Sequence, residues 1–164
     1  MTASRVYRGI IIDSRTWNGL KSLKVYSNLV PSNINNIGII VDGLLNSLQK
    51  TCGQLNDTTL FDLKVILNEL LINAILHGNR ENENKSVRIS ADIADKRELY
   101  IIIEDEGCGY DYSKLCSEQD SHPCETDPED VCECGRGLNI VKCLCDRMKV
   151  NTKGNKIIIM KRIE

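Results

Sequence analysis

The amino-acid sequence of 164 residues lacks an excess of basic residues and lacks long apolar runs. Its 21 Lys and Arg residues face 23 Asp and Glu residues, which gives a formal net charge of -2. Nucleic acid and acidic membrane surfaces are therefore not expected partners. No stretch approaches the length of a membrane span, and the longest apolar run near the amino terminus covers only residues 10–12. We therefore expect a cytoplasmic protein without a membrane segment or an export signal.

Internal repeats are also absent, and the length suits one domain. Apolar residues recur at intervals of three and four over residues 33–49 and 57–76, which predicts two helices. Asp57 or Thr58 would cap the second helix, and Gly78 would end it in a left-handed conformation. Strands are predicted at residues 9–12, 21–29, 87–93, 99–103, 148–152 and 156–161, and a third helix at 135–145. The predicted fold class is α+β, a two-layer α/β sandwich with helices on one face of a mostly antiparallel sheet.

The eight cysteines do not indicate a disulfide scaffold, because 41% of the residues are hydrophobic and no export signal is expected. Four of them share one segment: Cys116, Cys124, Cys132 and Cys134. Zinc is disfavoured there, because structural zinc sites prefer CxxC pairs and Cys132 and Cys134 form CxC. Cys143 and Cys145 point about 200° apart on a helix and do not share an ion by themselves. Reduced thiols are the main expectation, with redox control of this segment through Cys134 as a further hypothesis.

A polar stripe marks the second predicted helix. Glu69, Asn73 and His77 stand four residues apart among apolar residues, so they share one helix face and can converge on one ligand. A carboxylate in such surroundings is costly unless something compensates it, and a bound metal is one compensation. The alternative interpretation is the solvated back of an amphipathic helix.

Asp105, Gly107 and Gly109 form the pattern DxGxG directly after a predicted strand. The two glycines permit backbone torsions and a close ligand approach that a Cβ atom would block. If Asp105 accepts a hydrogen bond from an exocyclic amine, it selects adenine over guanine, because guanine presents a carbonyl group there. The alternative interpretation is an acidic hairpin turn.

The third predicted helix opens with Gly135, Arg136, Gly137 and Leu138. Backbone N–H groups at this positive helix end favour phosphate, and Arg136 would add a charge-assisted contact. The same residues are also typical of a flexible turn before a helix.

These three segments occur in the order that is typical of a known family. The chain resembles the GHKL (Bergerat-fold) ATPases, and among them the small anti-sigma factor serine/threonine protein kinases. ELLINAILHGN is similar to their asparagine box, EDEGCGYD to their first glycine box, and GRGLNIVKCLCDRMKV to their second. The resemblance covers residues 21–162. It implies an ATP-binding domain at residues 21–164 after an extension at 1–20, with residues 112–134 in the place of the family's ATP lid.

The resemblance also implies roles for the matching residues. Asn73 would hold the Mg2+ that bridges the ATP phosphates, and Glu69 would be the catalytic base that takes the proton from a protein serine hydroxyl. His77 gains no such role and is interpreted as a helix-end residue. ATP would be contacted by Asp105, Gly107 and Gly109 at the base and by Gly135, Arg136, Gly137 and Leu138 at the phosphates.

The implied function is that of an ATP-dependent serine protein kinase. It would act as an anti-sigma regulatory factor that phosphorylates an anti-sigma antagonist protein, with a sigma factor and this antagonist as partners and a homodimer as the implied assembly. Two alternatives stay open: a non-catalytic ATP-binding regulator that sequesters a partner, and a catalytic fragment related to sensor histidine kinases. The segment 112–134 departs from the family because it is strongly acidic, and its charge either weakens nucleotide binding or stays solvated away from the site.

Overall fold

The computed structural model describes residues 5–7, 10–12, 22–94, 97–109 and 134–163. Two short strands, β1 (Arg5–Tyr7) and β2 (Ile10–Ile12), pair in an antiparallel fashion and form a sheet of their own. The strand predicted at residues 9–12 is thus confirmed as β2. The segment predicted to be the lid, residues 112–134, lies outside the described residues except for Cys134.

A five-stranded sheet forms one layer of the fold. Its strands are β3 (Leu23–Pro31), β4 (Ser86–Ala94), β5 (Glu98–Asp105), β6 (Arg147–Val150) and β7 (Lys156–Arg162). Their spatial order is β3-β4-β5-β7-β6, and all neighbours are antiparallel. β4 and β5, which contain the strands predicted at residues 87–93 and 99–103, form an antiparallel hairpin with Ile89 opposite Ile103.

Three α-helices of the described residues form the second layer. They are α1 (Ile37–Cys52), α2 (Asp57–Ile72) and α3 (Cys134–Leu144), and a 3-10 turn (Ile34–Asn36) leads into α1. Their apolar faces share one core with the inward face of the sheet, where Leu44, Leu67 and Ile101 are fully buried. Alternate residues of β5 enter this core, as the two-residue period of a strand requires. The predicted α+β fold, a two-layer α/β sandwich, is confirmed.

The start of α2 corrects one prediction. The capping residue is Asn56 rather than Asp57 or Thr58, and its side-chain oxygen accepts a hydrogen bond from the backbone N–H of Thr59 at 2.7 Å. Asn56 keeps an extended backbone (φ -68°, ψ 157°), whereas Asp57 is already helical. A capping side chain must stand just outside the first helical residue to reach the free N–H groups, which explains the shift.

The end of α2 corrects a second prediction. The helix continues into a single π-helical turn (Asn73–Gly78), in which the backbone N–H of Asn79 donates to the carbonyl oxygen of Ala74 at 2.8 Å. Gly78 does not adopt the predicted left-handed conformation, and positive φ angles of 56° and 50° fall on Arg80 and Glu81 instead. Gly78 serves a different purpose, because it lies against a functional side chain described below.

Candidate functional site

The polar stripe of α2 faces the first turn of α3. A Cβ atom on Gly137 would collide with Oε2 of Glu69 and would lie 3.9 Å from Nδ2 of Asn73. Because Gly137 has no side chain, the carboxylate of Glu69 lies directly against the backbone of α3. The structure therefore brings together Glu69, Asn73 and Gly137, which the sequence alone separates into two motifs.

Asn73 carries an unsatisfied polar atom at this contact. Its Nδ2 is buried and has no hydrogen-bond partner among the described residues. Leaving such a group unpaired costs roughly 1–3 kcal/mol. A site of this kind is expected where a ligand supplies the missing partner. The same amide also offers a carbonyl oxygen, and rotation about its last bond exchanges the two groups.

Asp105 stands half-buried at the end of β5, in the wall of a cavity that Asn73 also lines. Its Oδ1 accepts a hydrogen bond from the backbone N–H of Gly107 at 2.8 Å. Burial raises the pKa of Asp105, while the Gly107 N–H group and the positive charge of Lys153 oppose that rise. The carboxylate is thus poorly solvated, and a ligand that donates a hydrogen bond to it would replace lost water.

Two glycines allow the chain to pack around Asp105, and a third allows it to pack closely against Lys153. A Cβ atom on Gly78 would lie 2.6 Å from both carboxylate oxygens of Asp105, and one on Gly107 would lie 2.6 Å from the carbonyl carbon of Gly78. Gly109 has a φ of 87°, and a Cβ there would lie 2.8 Å from the carbonyl carbon of Lys153. Both glycines of the DxGxG pattern thus lie close to protein backbone, and Gly78 lies as close to the side chain of Asp105. The close ligand approach expected at these glycines stays a prediction.

Asn155, which the sequence reasoning missed, holds the backbone of Asp105. The Asp105 N–H donates to the carbonyl oxygen of Asn155 at 2.9 Å, and Nδ2 of Asn155 donates to the carbonyl oxygen of Asp105 at 2.8 Å. Asn155 belongs to the turn between β6 and β7, where Oδ1 of Asn151 accepts from the N–H of Gly154 at 2.9 Å. The Asn and Gly residues of this turn mark a turn in the sequence, but no local pattern connects it with Asp105.

One cavity collects these groups between α2, the start of α3 and the ends of β5 and β7. Its apolar walls come from Leu70, Ala74, Ile103, Leu138 and Ile157. Asn73, His77, Asp105 and Asn155 supply polar groups. Apolar walls with a few convergent polar groups are typical of a small-molecule site, and Asp105 offers a carboxylate that can accept a hydrogen bond from a ligand.

The predicted site residues lie at different distances from this cavity. Asn73, Asp105, Gly109 and Leu138 line it directly. Glu69 and Gly137 meet beside Asn73, and Gly107 packs behind Asp105. Gly135 lies in the first turn of α3, which begins at Cys134, so the predicted helix start is confirmed within one residue. Arg136 is exposed and is not part of the cavity wall as described.

The described cysteines are free thiols: Cys52, Cys108, Cys143 and Cys145. Burial raises the pKa of Cys52 and of Cys145, which disfavours their thiolate forms. Within the described ranges, no group of three or more His, Cys, Asp or Glu side chains is arranged to hold a metal ion. The zinc and redox hypotheses concern Cys116, Cys124 and Cys132, which lie outside those ranges, and Cys134, of which only the helical backbone is described.

Comparison with known proteins shows the family. The model of the histidine kinase-like ATPase domain matches residues 32–161, which include the asparagine box, both glycine boxes and the turn that carries Asn155. The chain therefore belongs to the histidine kinase-like ATPase domain family. The resemblance inferred from the three motifs is confirmed.

Individual relatives carry more specific names. The chain is 31% identical over 101 residues to the "Serine-protein kinase RsbW" of Oceanobacillus iheyensis, a match that covers 62% of this chain and 63% of that protein. It is 33% identical over 107 residues to an "Anti-sigma F factor" of Shouchella clausii, covering 63% of this chain and 70% of that protein. An "Anti-sigma F factor" of Clostridium acetobutylicum is 36% identical over 104 residues, covering 62% and 68%.

A solved structure, the histidine kinase domain from the Erythrobacter litoralis EL346 blue-light activated histidine kinase, aligns with a TM-score of 0.44 and 17% identity over 76% of this chain and 58% of that chain.

Among the described residues of the present chain, no helix combines the length and the apolar character needed to cross a membrane.

Proposed function

We propose that the chain is an ATP-dependent serine protein kinase that acts as an anti-sigma regulatory factor and phosphorylates an anti-sigma antagonist protein. The observation that carries this proposal is the meeting of Glu69 and Asn73 with Gly137 at one end of an apolar cavity, with Asp105 in the wall of the same cavity. Membership of the ATPase family and the names of the relatives support it.

The adenine moiety would occupy the base end of the cavity, defined by Gly78, Asp105, Gly107 and Asn155. There Asp105 accepts a hydrogen bond from the exocyclic amine of adenine, while apolar walls contact the ring faces. Guanine carries a carbonyl group in place of that amine, so the two acceptors would face each other. The base end therefore predicts a preference for ATP over GTP.

The phosphates would lie at the phosphate end, defined by Glu69, Asn73 and Gly137. The first turn of α3 presents backbone N–H groups there, and Arg136 is close in the chain. Asn73 fits a role as a Mg2+ ligand, because its buried Nδ2 lacks a partner and rotation of the amide would present the carbonyl oxygen in its place. When bound, Mg2+ would neutralise phosphate charge.

Glu69 is the proposed catalytic base. Its carboxylate would accept the proton of a serine hydroxyl while the serine oxygen forms a bond to the γ-phosphorus and the bond from that phosphorus to the bridging oxygen of ADP breaks. The products are phosphoserine and ADP. Because Gly137 has no side chain, the carboxylate of Glu69 lies close to the first turn of α3, where the phosphates are proposed to bind, and this position suits a base.

The name anti-sigma F factor, carried by several relatives, supports a sigma factor as a partner. An antagonist protein as the second partner and the cytoplasm as the place of action belong to the same proposal. A homodimer and a domain at residues 21–164, with a lid at residues 112–134, complete the proposal. The acidic charge of that segment, with Glu118, Asp120 and Glu125 among its residues, predicts that Mg2+ is needed to bring ATP close to it.

The deciding experiment is incubation of the protein with labelled ATP, Mg2+ and an antagonist protein that carries an acceptor serine. Label transfer that is lost in Glu69→Gln supports the proposal, provided that ATP still binds. Glu83→Gln is the matched control, because exposed Glu83 accepts a hydrogen bond from Nδ2 of Asn33 at 2.7 Å and glutamine preserves an acceptor. Binding of ATP without label transfer by the unaltered protein would favour the sequestering regulator, and no ATP binding would refute both.

A further inference from the structure

A closed ring of hydrogen bonds lies beside the base end, outside the residues assigned to ATP above. Nδ2 of Asn79 donates to the carbonyl oxygen of Ser86 at 3.0 Å. The backbone N–H of Ser86 donates to Oε2 of Glu106 at 2.6 Å, and the backbone N–H of Glu106 donates to Oδ1 of Asn79 at 2.9 Å. The ring therefore joins the end of the π-helical turn, the start of β4 and the residue that follows Asp105.

Asn79 is the centre of this ring and is fixed more firmly than its partners. It is 1% exposed, and its Nδ2 also donates to Oγ of Ser32 at 2.6 Å. Ser32 is fully buried, and its own N–H donates to the carbonyl oxygen of Lys85 at 3.0 Å. A buried amide with three satisfied contacts has one orientation, so it fixes the backbone group that it accepts from.

That backbone group controls where the carboxylate of Asp105 stands. Glu106 follows Asp105 directly, so Asn79 holds the peptide on one side of Asp105, and Asn155 holds Asp105 itself on the other. Gly78, next to Asn79, packs on the carboxylate. Asn79 thus fixes the position of the loop that carries the carboxylate of Asp105 and of the turn against which this carboxylate lies.

We propose that Asn79 is a positioning residue for base selectivity, which acts on the nucleotide through Asp105 without contacting the nucleotide. This inference rests on the proposed function, in which Asp105 distinguishes adenine from guanine. Discrimination by one hydrogen bond needs an acceptor at a fixed place. A displaced carboxylate would neither bond well to the amine of adenine nor lie close enough to the carbonyl group of guanine to repel it, so the two bases would bind with similar affinity. Loss of Asn79 is therefore expected to lower the preference for ATP over GTP, in addition to lowering stability.

The test measures dissociation constants for ATP and GTP by calorimetry, at a temperature where each variant is folded. The preference for ATP is the dissociation constant for GTP divided by that for ATP. Asn79→Ala should reduce this ratio by roughly five- to tenfold. Glu106→Ala opens the same ring from an exposed side chain and should reduce it by roughly two- to threefold. Asn56→Ala is the matched control, because it removes the side-chain cap at the start of α2 and destabilises the fold at a place unconnected with Asp105.

An unchanged ratio in folded Asn79→Ala would overturn the inference, as would an equal fall in the Asn56→Ala control. If Asn79→Ala does not fold, Glu106→Ala decides alone, and a ratio equal to that of the unaltered protein overturns the inference. A lower ratio in the ring variants with an unchanged control supports it. If the unaltered protein binds ATP and GTP equally, the assignment of Asp105 in the proposed function fails first, so the two failures are distinguishable.

Discussion

The two ends of the cavity differ in how completely their polar groups are satisfied. At the base end, the backbone and side chain of Asp105 have partners on both sides, through Asn155 and Gly107. At the phosphate end, the amide of Asn73 has a buried Nδ2 without a partner in the described part of the chain, and Glu69 lies against a glycine. Protein partners hold Asp105 in place at the base end before a ligand arrives and leave its carboxylate able to accept a further hydrogen bond, whereas the phosphate end has a buried donor without a partner.

This difference suits the two tasks that the proposed kinase must perform. Base recognition needs a fixed acceptor, which hydrogen bonds within the protein provide. Phosphoryl transfer needs groups whose interactions form with phosphate, Mg2+ and the attacking hydroxyl, so these groups must not be occupied by protein partners. Variants at the base end should therefore change affinity and selectivity, and variants at the phosphate end should change the rate of transfer.

The largest effect is expected for Glu69→Gln at the phosphate end. An amide does not accept the serine proton, so the rate of label transfer should fall by roughly 10²- to 10⁴-fold. The dissociation constant for ATP should change by less than about threefold, because the proposed base does not hold the nucleotide. A rate within twofold of the unaltered protein would contradict the assignment, and so would a large loss of ATP binding.

The next largest effect is expected for Asp105→Asn at the base end. Replacing the charged acceptor should weaken ATP binding by roughly 10- to 100-fold, since hydrogen bonds to charged groups contribute about 1.5–3 kcal/mol. Calorimetric titration with ATP measures this change. Unaltered affinity would show that Asp105 does not contact the base.

The same variant has a consequence for stability. Because burial raises the pKa of Asp105, the folded protein holds the carboxyl proton of Asp105 more tightly than the unfolded chain does. Between the ordinary and the raised pKa, the free energy of unfolding therefore falls as pH rises, and at neutral pH the buried charge costs stability. Asp105→Asn should remove this pH dependence and unfold at an equal or higher temperature, as measured by thermal melts across that range. A lower melting temperature of Asp105→Asn at neutral pH would contradict the expectation that the buried charge of Asp105 destabilises the fold.

A pair of glycine variants compares the two ends directly. Gly78→Ala places a methyl group against the carboxylate of Asp105 and should weaken ATP binding by roughly tenfold, because the acceptor must move. Gly137→Ala displaces Oε2 of Glu69 and should instead lower the transfer rate by roughly tenfold. Gly38→Ala is the control: it lies in α1 with nothing within 4 Å of the added atom, and it should leave both quantities unchanged. Equal effects of the first two variants on affinity and on rate would remove the distinction between the ends.

The smallest effect on activity is expected at the far end of α3. Nζ of Lys161 pairs with Oδ2 of Asp62 at 2.8 Å and donates to the carbonyl oxygen of Leu144 at 2.7 Å, which attaches the last turn of α3 to α2. Lys161→Met keeps the bulk of the side chain but leaves Asp62 unpaired, and should lower the free energy of unfolding by about 2 kcal/mol. The rate of label transfer by Lys161→Met should fall no more than about threefold, since the phosphate end of the cavity lies at the opposite end of α3.

A second ion pair provides the comparison for Lys161→Met. Lys156 pairs with Glu104 at 2.9 Å on more exposed side chains, so Lys156→Met should cost less than about 1 kcal/mol. Denaturant melts of both variants measure the difference. Equal losses would show that burial does not distinguish the two pairs.

Much of the fold followed from local patterns. The period of apolar residues predicted α1 and α2, and alternation over residues 87–93 predicted β4, because burial on one side imposes these periods on any sequence. The strand β5 was predicted from a nearly continuous apolar run at residues 99–103. The cap of α2 at Asn56 was missed, since Asn56, Asp57 and Thr58 are all capable capping residues and only the backbone geometry selects one. The π-helical turn was also missed, because its sequence has an ordinary helical period.

The site divides in the same way. Glu69, Asn73, Asp105 and the glycine pairs stood out because polar residues and glycines are unusual where their elements need apolar residues or good helix formers. Asn79 and Asn155 did not stand out, because Asn beside Gly is ordinary in a turn. Their importance depends on hydrogen bonds with residues far away in the chain: Asn79 with Glu106, 27 positions away, and Asn155 with Asp105, 50 positions away.

The sequence by itself determined the class of fold, the family and the residue types available for chemistry, because periodicity and motif spacing are properties of neighbouring residues. Only the tertiary structure decided that Glu69 lies against Gly137, that Asn73 has an unpaired amide, and that Asn79 and Asn155 hold the acceptor loop. The physical reason is that hydrogen bonds and close packing act over a few ångströms between segments whose distance is set by the packing of the whole core, which no local pattern encodes.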